Sequence, residues 1–386
     1  MKKKLYVGLM ILLSIMLVVS ACGPTDTAEP TEPPAAEEEA DQPDEAEEAA
    51  EEDDYTCEFD EQTCDFLEGK DFGGETLVVG VWGGVIEEIY REHIIPEIER
   101  RNGKVELLLG GTGDRIAKIY AEKGNPTIDV AYVNMYEAPQ GIEDGVFEEA
   151  SNDVPAYADL YEPAKRGGYG MSFMGLGIAY NPEAFDSPPD WPDLFKEEYA
   201  GKIATATFPG ADAEGLYAAA CYLNDADETD PDACFEKLQE LKPIPMVYKS
   251  LDELFLVLEE GEEVVAAPVI SGYAWTYIDK GQNIAFSWPE TPGPIQMMDT
   301  MVIVKGTKHR EMALAWAQMS LSPKVQKAFA EQIYFGPTNS NVELTGQVAE
   351  RCVYGPDQVE SLYAYDEYVI ENRDELTQRW NREILE

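Results

Sequence analysis

The sequence Pro294-Ile295-Gln296-Met297-Met298-Asp299-Thr300-Met301-Val302-Ile303-Val304 is an almost unbroken apolar run that ends in β-branched residues. Such a run predicts a strand that is buried on both faces. One carboxylate, Asp299, interrupts it, and a buried carboxylate must be neutralised or given a partner. Two interpretations stay open: Asp299 is a structural residue paired within the protein, or it lies at a cleft and pairs with a cationic ligand.

Predicted strands and helices alternate on both sides of this run. Upstream, the predicted elements are strands at 76–82, 105–109 and 128–133, and helices at 86–98 with a kink at Pro96, at 114–123 and at 138–145. Downstream of residue 250 they are helices at 251–261, 272–280, 310–321 and 323–333, strands at 264–270 and 283–288, and a long C-terminal helix from about Pro356. This alternation predicts a parallel-type α/β sheet, and two such units predict two lobes with a cleft between them.

Candidate site residues fall at predicted strand ends. In open α/β sheets, ligands bind outside the carboxyl ends of the strands. Trp82, Asn134 and Asp299 all lie at or just after such ends. A large aromatic such as Trp82, before Gly83-Gly84, is either a core anchor or a surface on which a ligand packs.

The N-terminus predicts export. Three lysines at 2–4 precede an apolar run from Leu5 to Val19 and then Val19-Ser20-Ala21-Cys22, which is typical of a cleaved signal peptide over residues 1–22. Because the last four residues resemble a bacterial lipobox, Cys22 is expected to become the lipidated N-terminus. No later apolar run is long enough to span a bilayer, so we expect an extracytoplasmic protein that is lipid-anchored to a bacterial membrane.

Charge is concentrated after the signal peptide. Residues 23–54 are mostly Pro, Ala, Thr, Glu and Asp, and residues 23–75 are predicted to be an acidic, disordered tether. The whole chain carries a net charge of −48, of which residues 76–386 account for −30. This charge argues against nucleic acid as a partner, since nucleic acid requires a basic face. It is compatible with a cationic ligand, and equally with solubility in a salty or alkaline habitat.

Six cysteines suit an exported protein. With Cys22 lipidated, local spacing makes Cys57 with Cys64 and Cys221 with Cys234 possible disulfides, which would leave Cys352 over. Spacing alone leaves the pairing open.

Several motifs, in order along the chain, resemble extracellular solute-binding proteins of ABC importers, in particular the spermidine/putrescine-binding group. The resemblance extends from Thr76 to about Leu344. The motifs are Trp82-Gly83-Gly84, Gly124-Asn125-Pro126-Thr127-Ile128-Asp129-Val130, Gly175-Leu176-Gly177-Ile178-Ala179-Tyr180-Asn181, Trp191-Pro192-Asp193-Leu194-Phe195-Lys196-Glu197-Glu198-Tyr199-Ala200-Gly201-Lys202 and Leu321-Ser322-Pro323-Lys324-Val325-Gln326.

This resemblance implies an α/β, two-lobed, type II periplasmic-binding-protein fold, with crossover strands near 177–180 and 297–301 and hinge closure on the ligand. The implied first lobe is 76–180 plus 298–340, and the second is 181–297 plus 341–386. The implied function is to capture a small cationic solute such as spermidine or putrescine and to deliver it to the transmembrane subunits of a permease. We expect a monomer without cofactor or metal.

The resemblance also implies site residues. Trp82, followed by Gly83, matches an aromatic that packs on the ligand's aliphatic chain. Asn134 and Tyr136 match a polar and aromatic pair after the third strand, and Asp299 matches a carboxylate that binds a polyamine nitrogen. Two further candidates, Asp212 and Glu214, lie in a region where the family has an acidic contact. The last three, Tyr273, Trp275 and Met297, lie where this sequence departs from the family's tryptophans.

Other functions are weaker alternatives. The only histidines, His93 and His309, are not in a catalytic or metal-binding spacing, so an enzyme is not expected. A ferric-ion binder would need clustered tyrosines, for which Tyr132, Tyr136, Tyr169, Tyr273 and Tyr277 are available. An aminophosphonate binder would use a helix N-terminus, for which Gly110-Gly111-Thr112-Gly113 is the candidate.

Overall fold

The computed structural model describes residues 56–386, so the predictions for the signal peptide, Cys22 and the tether up to residue 55 lie outside the described residues. The first half of the described chain contains α1 (Glu61–Leu67), β1 (Thr76–Val81), α2 (Val85–His93), α3 (Ile95–Arg100), β2 (Lys104–Leu109), α4 (Thr112–Ala121), β3 (Val130–Asn134), α5 (Glu137–Glu143), β4 (Tyr169–Tyr180), α6 (Trp191–Leu194) and β5 (Thr205–Ala206).

The second half begins with α7 (Ala211–Leu223), α8 (Pro231–Leu238), β6 (Val247–Tyr248), α9 (Leu251–Glu260), β7 (Ala266–Ile270), α10 (Ser271–Asp279), β8 (Ala285–Ser287) and β9 (Ile295–Ile303). It ends with α11 (Arg310–Ser320), α12 (Pro323–Ile333), β10 (Gly336–Pro337), α13 (Gly346–Arg351), α14 (Pro356–Glu360), α15 (Tyr368–Glu371), α16 (Arg373–Trp380) and a π-helical turn over Asn381–Leu385.

The apolar run 294–304 contains β9, which lies inside the sheet. β9 pairs antiparallel with β3 on one side and with β4 on the other. All of its residues except Asp299 are buried. The predicted strand buried on both faces therefore forms, and Asp299 is the one residue in it that keeps some exposure.

The sheet is mixed, which differs from the parallel-type sheet predicted from the alternation. Only β1, β2 and β3 are parallel to one another, whereas β4 pairs antiparallel with β7, β8, β9 and β10. Two long strands, β4 and β9, run between the two groups of elements. They are antiparallel to each other, because a chain that crosses between lobes returns in the opposite direction. This is the α/β, two-lobed, type II periplasmic-binding-protein fold, with hinge-linked lobes and a cleft between them.

β4 is buried along its whole length. Gly177 permits this packing, since a Cβ there would lie 2.5 Å from the Phe286 ring and 2.6 Å from the Ser287 carbonyl oxygen. The glycine lets β8 approach β4 closely, which fixes one end of the crossover.

Two helix predictions need correction. The helix expected over 86–98 is divided at Ile94, with Pro96 in the first turn of α3, where its missing N–H costs little. The long helix expected from about Pro356 is four shorter pieces. It is interrupted because Tyr363 makes main-chain hydrogen bonds to Pro294 and Gln296 beside β9, at 2.9 and 2.7 Å.

Residues 56–75, which we assigned to the disordered tether, are folded. They contain α1, whose Thr63 is buried and accepts a 3.0 Å hydrogen bond from the Gln318 amide of α11. A disulfide between Cys57 and Cys64 closes this segment. Unlike residues 23–54, this segment contains large apolar residues that pack on the core, namely Phe59, Phe66 and Leu67.

A second disulfide joins Cys221 of α7 to Cys234 of α8, and Cys352 is a buried free thiol. Among the described residues, no helix combines the length and apolar character that a membrane span requires.

Candidate functional site

The candidate site is built around Asp299 in the middle of the sheet. Its register partners are Asn134, the last residue of β3, and Ser172 of β4. Three neighbouring strands, β3, β9 and β4, therefore each place a polar residue at the same position across the sheet. The carboxylate interrupts the apolar run where the cleft opens.

Burial raises the pKa of Asp299 to about 7, and a hydrogen bond from the Ser172 side chain and the positive charge of Arg115 only partly oppose this effect. Within residues 56–386, Asp299 belongs to no ion pair. An ionised carboxylate without a cation in such a place is costly, so the site favours either a proton or a positively charged partner. The structure therefore shows no salt bridge at Asp299, while pairing with a cationic ligand stays a prediction.

Trp82 lies directly after β1, half-buried, with Arg115 of α4 against its ring. The guanidinium carbon is 5.1 Å from the ring centroid, and Arg115 donates hydrogen bonds to the carbonyl oxygens of Gly110, at 2.8 Å, and Tyr132. Burial lowers the pKa of Arg115 to about 10. The ring of Trp82 is held in place by this contact and still faces open space.

A cavity of about 190 Å³ adjoins Asp299. Seven of the ten predicted ligand-binding residues line it: Trp82, Asn134, Tyr136, Glu214, Tyr273, Met297 and Asp299. They come from β3, β9, α7 and α10 and from the loops that follow β1 and β3. The structure therefore brings together residues that are up to 217 positions apart in the chain.

The other three predicted residues do not line this cavity. Gly83 is exposed on the turn before α2. Asp212 accepts a 2.9 Å hydrogen bond from the Tyr248 hydroxyl, and Trp275 packs on Phe286 and on Arg351. Asp212 and Trp275 each lie two positions along a helix from a residue that does line the cavity, Glu214 and Tyr273, and two positions on a helix differ by about 200° in direction.

Among the lining residues that the sequence did not predict, Tyr365 and Arg373 come from the C-terminal segment. Tyr365 is stacked on Tyr136 with a centroid separation of 4.3 Å. Arg373 donates two hydrogen bonds to Glu214, of 2.7 and 3.1 Å, and one of 3.0 Å to Glu137. No local pattern marked these residues, since the segment was interpreted as part of a helix.

The tyrosines considered for ferric ion are not assembled into a cluster. Tyr136 and Tyr273 line the cavity. Tyr132 is buried against Trp316 and Ser320, Tyr169 packs on Tyr157, and Tyr277 packs on Phe255. Burial raises the pKa of the Tyr273 hydroxyl.

Comparison with known proteins agrees with this architecture. The family model for bacterial extracellular solute-binding proteins matches residues 98–351. The chain belongs to this family.

Relatives and solved structures add detail. The chain is 26% identical to a gamma-aminobutyric acid-binding protein of Pseudomonas aeruginosa, over 80% of this chain and 90% of that protein. It is 29% identical to a spermidine/putrescine-binding periplasmic protein of Escherichia coli, over 44% of this chain and 48% of that protein. A crystal structure of an ABC transporter from Clostridium perfringens superposes with a TM-score of 0.70 at 27% identity, covering 80% of this chain and 99% of that one.

These findings define the general role. The protein is an extracellular or periplasmic solute-binding receptor of an ABC transporter, and its relatives are binding proteins rather than enzymes.

Proposed function

We propose that this receptor captures a small solute through an ammonium group that pairs with Asp299. The observation that carries the proposal is the carboxylate itself: it lies in the cavity wall, belongs to no ion pair among the described residues, and has a pKa raised to about 7 by burial. A ligand ammonium would supply the missing positive charge in a charge-assisted hydrogen bond. Asn134, the register partner of Asp299, is available as a further polar contact.

The rest of the wall suits an alkyl chain. Trp82, Met297 and Tyr273 offer aromatic and thioether surfaces beside the carboxylate. Aromatic faces attract both methylene groups and cations. The volume of about 190 Å³ is below the 300–1,000 Å³ typical of sites for drug-sized ligands, which suits a short alkyl chain.

Gamma-aminobutyric acid and the polyamines share one feature, an ammonium group on a short alkyl chain. Relatives of this chain bear the names of both ligands. We propose this shared alkylammonium as the recognised group, with spermidine or putrescine as one candidate ligand and gamma-aminobutyric acid as the other. A dication would need a second free carboxylate, and Glu214 is already held by Arg373.

Capture would proceed by closure of two lobes, residues 76–180 plus 298–340 and residues 181–297 plus 341–386, about the crossover strands β4 and β9. The closed receptor then presents the solute to the transmembrane permease subunits. Lipidation of Cys22 would hold this receptor, as a monomer, at the membrane.

Calorimetric titration with matched ligands tests the proposal. Putrescine and 1,4-butanediol share a four-carbon chain and differ in their end groups, as do gamma-aminobutyric acid and butyrate. At least one of the two amines should bind, and its partner without nitrogen should not. At about 100 times its Kd, a bound ligand should also add about 2.7 kcal/mol to the free energy of unfolding. Equal binding of 1,4-butanediol and putrescine would contradict recognition of the ammonium group.

A further inference from the structure

The C-terminal segment Leu362–Arg373 passes over the mouth of the cavity. It is fixed at its start on the side that carries α7 and α8: the Tyr363 main chain pairs with the edge of β9, and the Tyr363 hydroxyl donates a 3.0 Å hydrogen bond to Glu228. It is fixed again beyond its end, where Trp380 stacks on Phe208 at 5.4 Å. Both ends of the segment thus belong to one side of the cleft.

Between these points the segment contacts the opposite side, which carries β1–β3 and α5. Tyr365 stacks on Tyr136, and Glu367 forms a 2.7 Å ion pair with Arg166, whose guanidinium also lies 5.1 Å from the Tyr136 ring. Arg166 belongs to this side because the neighbouring Gly167 carbonyl accepts a hydrogen bond from Ala150.

Arg373 provides the third contact and joins both sides through one guanidinium. It binds Glu214 of α7 with two hydrogen bonds and Glu137 of α5 with one. Glu214 is almost completely buried, so its pair with Arg373 is a stable anchor, and Glu137 is the partner across the cleft. The pKa of Glu137 is raised by burial, with Arg373 opposing that effect.

The same residues enclose the ligand space. Tyr365 and Arg373 line the cavity next to Asp299, and Arg373 also lines an adjoining cavity of about 380 Å³ together with Asn134 and Glu137. A solute that moves from the first cavity into the second passes the Arg373–Glu137 pair.

We propose that Leu362–Arg373 is a clasp, a segment that completes the binding cavity with Tyr365 and Arg373 and holds the two sides of the cleft together over the solute. The clasp lies beyond the residues matched by the family model, 98–351. Its contacts cross the cleft at three separate points, so opening the cleft must break all three. Only the identity of what the clasp retains rests on the proposed function, because the contacts themselves involve protein groups alone.

Amide hydrogen exchange of the ligand-free protein tests the clasp, because exchange reports the free energy of local opening. Glu367→Gln removes the exposed ion pair with Arg166. It should raise exchange about 1.5- to 5-fold in two segments on opposite sides of the cleft, residues 362–373 and residues 135–143. Tyr365→Ala, which removes the stacked ring, should raise exchange in the same two segments by more.

Glu371→Gln is the matched control. It removes the same charge from the same segment, and Glu371 is exposed and outside every ion pair of the described chain. Exchange in Glu371→Gln should equal that of the unmodified protein. If Glu367→Gln changes exchange in 362–373 but not in 135–143, or if Glu371→Gln has the same effect, the segment is a surface tail and the clasp is overturned.

A second measurement adds the solute. With putrescine and gamma-aminobutyric acid as probes, Glu367→Gln should speed dissociation about 1.5- to 5-fold, since a bound solute can leave only when the clasp opens. An unchanged dissociation rate for a probe that binds would overturn retention. Failure of both probes to bind would contradict the amine hypothesis, and the exchange result would still decide the clasp.

Discussion

Asn134 and Asp299 are register partners across the antiparallel pair of β3 and β9. β3 ends at Asn134, whereas β9 continues for four residues beyond Asp299. The carboxyl end of a parallel strand therefore meets the middle of a crossover strand, and the polar groups of both face the space between the lobes. This relationship places the proposed ammonium site at the hinge, where a charge on the ligand can influence closure.

Affinity for an alkylammonium ligand should depend on pH. Asp299 has a pKa of about 7 in the empty protein, so below that pH most molecules hold a proton where the ligand's charge must pair. Binding then requires loss of the proton, and affinity should fall roughly 50-fold from pH 7 to pH 5, at up to tenfold per unit. Calorimetry of putrescine or gamma-aminobutyric acid across this range measures it. Affinity that stays constant between pH 5 and pH 8 would show that Asp299 does not pair with the ligand.

The same carboxylate should make the ligand-free protein less stable as pH rises, whereas it makes ligand binding tighter. Its folded pKa is raised above the unfolded value of 3.8, so the stability it contributes is full below pH 4 and is lost as pH rises through 7. Asp299→Asn cannot ionise. The free energy of unfolding of this variant, relative to the unmodified protein, should therefore rise by roughly 4 kcal/mol from pH 4 to pH 8. Urea unfolding curves at both pH values test this, and a difference that does not change with pH would contradict burial of the charge.

Trp82→Ala should weaken binding more than it destabilises the fold. The ring lines the cavity and is half-buried, so its loss should cost less than the roughly 3–5 kcal/mol of a fully buried tryptophan. Loss of cation–π and alkyl contacts worth about 1–2 kcal/mol should lower affinity about 5- to 30-fold. Trp316→Ala, which removes a fully buried ring outside the cavity, is the contrasting variant. A loss of stability in Trp82→Ala as large as in Trp316→Ala would make Trp82 a core residue.

Arg373→Met should destabilise the protein even without ligand. It leaves the almost fully buried Glu214 carboxylate without its cation, and breaking a buried pair in this way typically costs about 3–5 kcal/mol. Arg382→Met, on an exposed side chain that pairs with Glu383, should change the free energy of unfolding by less than about 1 kcal/mol. Denaturant unfolding compares the two, and similar small effects would mean that Arg373 does not stabilise Glu214.

The sheet and most of the site could be predicted from local signals. Strands such as β9 and helices such as α12 have strong apolar periods and clear ends: Ser322 caps α12, and Pro323 occupies its first position. The antiparallel direction of β4 and β9 within the mixed sheet could not be predicted, because it depends on contacts between distant segments. The pattern of alternation is the same for either direction.

The helical period explains why Asp212 and Trp275 do not reach the cavity. Asp212 and Glu214, and likewise Tyr273 and Trp275, were proposed as pairs, although residues two apart on a helix point in nearly opposite directions. Tyr365 and Arg373 could not be found in this way. They reach the cavity because Tyr363 is held at the edge of β9, a contact between residues 68 positions apart that no local pattern encodes.

The most direct test of the account is the affinity of Asp299→Asn for putrescine and gamma-aminobutyric acid, measured by calorimetry at pH 8. The variant keeps the shape of the side chain and removes its charge, and loss of one partner of a buried charged pair costs about 2–5 kcal/mol. Affinity should fall by roughly 30-fold to several thousandfold. Asp212→Asn, which changes a half-buried aspartate outside the cavity whose pKa is also raised, should bind as the unmodified protein does. Undiminished affinity in Asp299→Asn, or an equal loss in Asp212→Asn, would contradict recognition of an ammonium group by Asp299.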